Sequence, residues 1–364
     1  MSQPLTVNLA FLPEKPTGLA TYAINLLPHL AALQPTLIAA QPRPDFTCHP
    51  APAGLTHEQG RQGHLARLRW TQCQLPGIYR QLHSSLLFAP IPEAPLWSGC
   101  RFVVTVHDLI PLRFFRKFTP LWTYQRYYLP RVLQQAVHII TNSQATAQDV
   151  MDFFGVPAAK LTPILLAHDA ANFRPLDLPV RPYFLYLGRN DPYKNLQRLV
   201  TAFAQLRDRS AQCREYELWL AGPADPRYQP DLQALIDQLG LTAQVKFLSY
   251  VPYAELPVLL NQAIALVMPS LWEGFGLPVL EAMACGTPVI PSNLSSLPEV
   301  TGEAALLVDP YDVGAIADAM HHLITDDGLR TALAAASRDR ARHFSWTTTG
   351  QHTVEVLRHY AAVR

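Results

Sequence analysis

The stretch Val267-Met-Pro-Ser-Leu-Trp-Glu-Gly-Phe-Gly-Leu-Pro-Val-Leu-Glu-Ala-Met-Ala-Cys-Gly-Thr-Pro288 constrains the fold of this chain more than any other. Ile264 to Met268 is an apolar run of strand length, and Gly274 and Gly276 permit a loop whose backbone comes close to a ligand. Pro278 suits the first position of a helix that Gly286 ends. A buried strand that enters a helix through a glycine loop is the building unit of an α/β sheet. The free amides and positive dipole end of that helix make a site for phosphate or another anion. Glu273 precedes the loop and Glu281 lies one turn into the helix. Carboxylates so placed suit sugar hydroxyls, which donate hydrogen bonds.

A chain of 364 residues exceeds what one core usually organises, so two domains of roughly 170 to 190 residues are expected. Its 29 basic and 28 acidic residues leave a net charge of +1, which gives no global field for nucleic acid and makes any anion site local. The five cysteines are scattered, odd in number and without a C-x-x-C pair, so neither a disulfide framework nor a zinc site is indicated. A reducing cytoplasm fits that usage. The N-terminus lacks the basic region and long apolar run of a signal peptide, and no uninterrupted apolar stretch is long enough to span a bilayer.

Strand and helix patterns alternate along the chain. Leu5 to Phe11, Thr36 to Ala40, Leu86 to Ala89, Phe102 to Val106 and Val137 to Thr141 read as the strands of a first sheet, the last closing it. Gln41 to Gly63, rich in Pro, Gly and His, reads as an irregular surface loop, and His64 to Trp70 as a basic helical patch, either a solvated face or a contact for acceptor or membrane. Arg113-Phe-Phe-Arg-Lys-Phe118, continuing through Arg131, interleaves aromatic and basic residues; it suits either a membrane interface or a helix packed on the first core. Three prolines between Ala170 and Pro182 break the rhythm and mark a linker. A second sheet is expected from Tyr183–Leu187, Glu217–Ala221, Gln244–Leu248, Ile264–Met268, Pro288–Ile290 and Ala305–Val308. Arg189 and Lys194 fall on the loop after its first strand, with Asn195 placed to cap the next helix. His107-Asp108 ends a strand of the first sheet, where open parallel sheets place ligands; Asp108 may equally cap the following turn.

Glu273-Gly-Phe-Gly-Leu-Pro-Val-Leu-Glu281 resembles the E-x7-E signature of retaining glycosyltransferases of family 4. The likeness continues through Glu-Ala-Met-Ala-Cys-Gly-Thr-Pro-Val289, Ser295-Ser-Leu-Pro-Glu299 and Ala304-Ala-Leu-Leu-Val-Asp-Pro310, and through Gly188-Arg followed by Lys194-Asn and Val103-Val-Thr-Val-His-Asp-Leu-Ile-Pro111. It implies the GT-B architecture: two Rossmann-like, doubly wound parallel-sheet domains facing a deep interdomain cleft. The expected bounds are 1–172 for an acceptor-binding domain and 173–345 for a nucleotide-sugar-binding domain, with a last helix, 346–364, returning to the first. The chain departs from the family pattern at Leu166-Ala-His-Asp169, at Ser249, where glycine is usual, and in the loop after the first strand, where only Gly18 remains.

The resemblance implies transfer of a hexose, with retention, from a GDP- or UDP-linked sugar to a glycan or lipid-linked acceptor. Its mannosyltransferase-like branch builds bacterial surface polysaccharides. Arg189, Lys194 and the amides around Gly276 would stabilise the leaving diphosphate without a metal or other cofactor. Glu273 would orient the donor sugar and Glu281 hold the ribose, and His107 would lie beside the sugar. Gly274, Phe275, Gly276, Leu277, Gly18 and Val251 complete the expected donor site. An epimerase or phosphorylase of the same architecture and a non-catalytic subunit of a transferase complex remain open. A glycosidase using the two glutamates leaves the cations without a task.

Overall fold

The computed structural model describes residues 4–13, 18–114 and 117–363. The chain divides into two units, Met1–Leu166 with Trp346–Arg364, and Ala167–Ser345. The first is built on a parallel sheet of seven strands, β1 (Leu5–Asn8), β2 (Thr36–Ala39), β3 (Thr47–Pro50), β4 (Leu86–Ala89), β5 (Phe102–Val106), β6 (His138–Thr141) and β7 (Leu161–Pro163), in the order β3-β2-β1-β4-β5-β6-β7. Val7 pairs with Leu37 on one side and Phe88 on the other. The strands β1, β4, β5 and β6 are buried along their whole length. Helices cover both faces of such a sheet, so these strands read as continuous apolar runs rather than alternating ones.

Two edge strands were not expected. β3 lies inside the stretch read as irregular loop, and β7 extends the sheet past the strand expected to close it. Each is an edge strand, bonded to the sheet on one side only, so residues such as His49, Pro50 and Pro163 are tolerated there. The helix Gly60–Cys73 follows, and its basic face is not simply solvated: Arg67 turns inward and binds the buried Glu93 through two bonds, at 2.7 and 2.8 Å. The final helix, Trp346–Ala362, packs on the helix Gly18–Leu30. Its Gly350 lies so close that a Cβ would stand 2.3 Å from the His29 ring.

The second unit holds five parallel strands, β8 (Tyr183–Leu187), β9 (Glu217–Ala221), β10 (Val245–Ser249), β11 (Ala265–Met268) and β12 (Val289–Pro291), in the order β10-β9-β8-β11-β12. The expected strand Ala305–Val308 runs beside β12, with the Leu306 and Val308 amides bonding to Val289 and Pro291, yet forms only an isolated bridge from Val308 to Ser292. Residues 170–182, expected as a linker, are tied to this unit. Phe173 is buried, and Asn261 bridges the Leu176 amide and the Arg174 carbonyl.

Candidate functional site

The strand order of the second unit reverses between β8 and β11. Ligands of open α/β sheets sit outside the carboxyl ends of the strands at such a reversal. The two loops that leave β8 and β11 there carry Arg189, Lys194 and Glu273. Lys194 ends a single 3-10 turn, Pro192–Lys194, and its Nζ donates to both oxygens of Glu273, at 2.7 and 2.9 Å. Both side chains are largely buried. Arg189 projects further, with 58% of its side chain exposed, and reaches Asp191 at 3.2 Å and Asp225 at 3.4 Å. Asp225 also binds Arg227, which holds its carboxyl well below the usual range.

The glycine loop is held from below. The Glu273 amide donates to Ser295 Oγ at 3.0 Å, and Ser296 Oγ donates to the carbonyls of Glu273 and Phe275 at 3.1 and 2.8 Å. Gly276 has φ of +100°, and a Cβ there would meet Leu297 at 2.6 Å, so both its conformation and its space call for glycine. The helix then runs Leu277–Cys285, with Pro278 second rather than first, and Gly286 terminates it in the left-handed region. The Phe275 ring is buried edge-on to Phe344, between the buried Gly274 and Gly276, and Leu277 is half-buried. Asn195 stands at the start of the helix Leu196–Arg209 but does not cap it by its side chain. Its Nδ2 instead donates to the carbonyls of Pro269 and Pro310, fastening the loop after β11 to that after β8.

Glu281 stands half-buried on the helix, and loss of solvent, aided by the charge of Asp169, pushes its carboxyl up to about 8. Asp169 accepts from the Ala171 and Asn172 amides and from Tyr253 OH. Sequence reasoning treated this stretch only as a departure from the family pattern. Ser249, at the end of β10, has φ of +52°, which accounts for the glycine usual at that position. Val251 follows it, half-buried. Gly188 and Gly222 meet backbone to backbone, since a Cβ on Gly222 would lie 2.0 Å from the Gly188 carbonyl.

In the first unit, His107 follows β5. Its Nε2 donates to the Pro90 carbonyl at 2.8 Å, and its ring lies edge-on to Tyr22. Loss of solvent lowers its pKa to about 4, so the ring is neutral near pH 7 and its Nδ1 carries the lone pair. Asp108 caps the next turn by accepting from the Ile110 amide at 3.1 Å. Gly18 begins a helix with open space around it and no left-handed φ, so nothing local requires glycine there. Of the aromatic and basic stretch, residues 115 and 116 lie outside the described residues. Phe118 is 76% exposed and Tyr127 48%, whereas Arg113 pairs with the buried Asp149. Among the described residues no helix is long and apolar enough to cross a membrane.

Two family models cover most of the chain, Glycosyltransferase Family 4 over residues 16–172 and Glycosyl transferases group 1 over residues 171–340. The chain is 34% identical over 247 residues to an O-antigen chain mannosyltransferase B of Escherichia coli, covering 65% of this chain and 64% of that relative. It is 35% identical over 231 residues to an MMP alpha-(1->4)-mannosyltransferase of Mycolicibacterium hassiacum, covering 62% and 55%. The matched stretch thus spans less than two thirds of either relative. Among solved structures, a sucrose-phosphate synthase from Thermosynechococcus elongatus superposes with a TM-score of 0.78 at 22% identity, over 99% of this chain and 100% of that one. Anabaena HepE in complex with UDP and glucose superposes with a TM-score of 0.74 at 19% identity, over 98% and 99%. The fold is therefore GT-B, and the chain belongs to the family 4, group 1 glycosyltransferases.

Proposed function

We propose that the protein transfers a hexose, with retention, from a nucleotide diphosphate sugar to a hydroxyl of a glycan or lipid-linked acceptor. The observation that carries this reading is the pairing of Lys194 with Glu273 at the strand-order reversal, next to the start of the helix Leu277–Cys285. As the bond from the anomeric carbon to the diphosphate breaks, negative charge builds on the leaving oxygens. Lys194, Arg189 and the amides of the glycine loop then stabilise the transition state more than the ground state. Glu273 orients the sugar through its hydroxyls and Glu281 takes those of the ribose. His107, neutral with a lone pair on Nδ1, accepts from a sugar hydroxyl. This reading assigns no metal or other cofactor to the reaction, because side chains and amides supply the positive charge.

GDP-mannose is the first donor to try and UDP-glucose the second. The names of the mannosyltransferase relatives support the former, and the UDP and glucose bound to HepE the latter. Surface polysaccharide or glycolipid synthesis is the corresponding setting. The test follows release of nucleoside diphosphate in buffer containing a chelator. Release that requires acceptor supports transfer, whereas equal release without acceptor would assign hydrolysis, and interconversion of the sugar would assign an epimerase.

The exposed Phe118, Leu121 and Tyr127, beside Lys117, Arg126 and Arg131 in a stretch without a single acidic side chain, support peripheral contact with anionic lipid. Such contact would put the protein at the inner face of the membrane. Co-sedimentation with phosphatidylglycerol vesicles should fall in F118S/Y127S; unchanged sedimentation would remove this surface from the reading.

A further inference from the structure

The first unit holds a cavity of about 210 Å³ that the mechanism above does not use. It opens beyond the carboxyl ends of β1 and β2, against the loop that follows β3. Leu9, Leu12 and Ala39 give it apolar lining, and Gln41, Arg43, Glu58 and Gln59 are its polar and charged residues. Thr56 Oγ1, itself buried, lies 2.8 Å from Gln59 Oε1 and 3.3 Å from Glu58 Oε2, which orients the amide with its NH₂ as a donor. The volume is below the roughly 300 Å³ at which pockets for drug-sized ligands begin, so it suits one ring and not a nucleotide. Apolar lining with amides, a carboxylate and a guanidinium matches a pyranose, which has a C–H face and a rim of hydroxyls that both donate and accept.

Its place in the sheet says which sugar. The strand order runs β2-β1-β4-β5, with His107 following β5. Neighbouring strands lie about 4.8 Å apart, so the cavity sits roughly 10 to 15 Å from His107 along the sheet. That is too far for the residue that receives the transferred sugar.

We propose that this cavity is a distal acceptor subsite, holding a hexose of the acceptor glycan further back along its chain than the accepting hydroxyl. The inference rests on the glycosyltransferase reading for its role but not for its detection. It makes the enzyme a reader of acceptor length: a short acceptor leaves the cavity empty, and a longer one fills it. Arg43 and Gln59 then set KM for long acceptors and leave the chemical step alone.

Binding is measured first, without donor, by saturation-transfer NMR with mannotriose, maltotriose and N-acetylchitotriose as probes. At least one should bind the wild-type protein, and Ala40→Trp, which blocks the cavity from its exposed rim, should abolish that binding. Binding of none of the three, or binding that survives Ala40→Trp, overturns the subsite. Kinetics then test the role, with GDP-mannose as donor. Gln59→Ala and Arg43→Ala should each raise KM for the bound trisaccharide roughly tenfold, as loss of one hydrogen bond to a sugar implies, with kcat and KM for the monosaccharide unchanged. Equal KM values for monosaccharide and trisaccharide in the wild-type enzyme would overturn length reading while leaving transfer standing. Absence of transfer to any acceptor would instead count against the transferase reading, with the NMR result still deciding the subsite.

Discussion

At the scale of single residues, the Lys194–Glu273 contact is the feature on which most depends. The partners lie 79 residues apart in sequence, and only the reversal of strand order brings them together. The cation rests on the acid, and on the proposed reading it neutralises the diphosphate of a bound donor. Lys194→Ala should therefore lower kcat by about 2 to 4 kcal/mol of barrier, the usual cost of one charge-stabilising group. A rate near that of the wild type would take Lys194 out of the chemistry. Glu281 offers a pH test. Its carboxyl is held up to about 8, so at pH 7 the free protein carries it mostly neutral. On the proposed role, ribose hydroxyls donate more strongly to the ionised carboxylate than to the neutral acid, so nucleotide affinity should strengthen as pH rises from 6 through 8, and Glu281→Gln should flatten that slope. Stability moves the other way. A folded-state value above the unfolded one gives a contribution that is full below the ordinary carboxylate range and lost as pH rises through about 8. Calorimetric titration of GDP across this window checks the first expectation; affinity that weakens with pH would make the neutral acid the binding form.

At the scale of elements, the glycine loop between β11 and its helix was legible in sequence because glycines, proline and alternating apolar runs are local signals. What holds the loop was not, since Ser295 and Ser296 reach it from the next turn of the fold by hydrogen bonds that no periodicity encodes. The same reason hid Arg67 with Glu93, and Asp169 beside Glu281: each pair joins residues far apart in sequence that no local pattern links. The edge strands β3 and β7 escaped notice because four- and three-residue strands containing His and Pro give no run long enough to recognise. Asn195 shows a position read correctly and a role that differs, because tertiary carbonyls compete successfully for its amide. Ser296→Ala tests the loop's support. It removes the hydroxyl that donates to the Glu273 and Phe275 carbonyls and should cost about 1 to 3 kcal/mol, the range for leaving buried acceptors unpaired. Urea unfolding would measure that loss, and nucleotide affinity should fall with it, since the amides of the loop lose their fixed direction. Unchanged affinity in the destabilised variant would mean that the loop is ordered by the ligand and not beforehand.

At the scale of the whole molecule, the chain ends where it began. The helix Trp346–Ala362 leaves the second unit and joins the first, whose sheet was complete nearly two hundred residues earlier. It is not a loosely attached tail. Val354 and Leu357 are buried, Thr349 Oγ1 donates to the Leu165 carbonyl at 2.8 Å, Arg101 donates to the Tyr360 carbonyl at 2.9 Å, and the Tyr360 ring stacks on His138. Gly350 allows the two helices to approach so that the His29 ring fits against bare backbone. Removing the helix takes away the Trp346 ring beside Tyr22 and the backbone at Gly350 against which the His29 ring lies, and with them the burial of Val354 and Leu357. Burial of even two such side chains is worth several kcal/mol, a large share of what usually separates a folded unit from its unfolded chain. A chain ending at Ser345 should therefore lose amide-exchange protection throughout β1, β4 and β5, while β8, β9 and β11, which belong to the other unit, keep theirs. Gly350→Leu should do the same more mildly by forcing the helices apart. Loss of protection in both units together would mean that they fold as one cooperative body; retention in both would mean that the first sheet stands without the last helix, and that the helix serves only to return the chain.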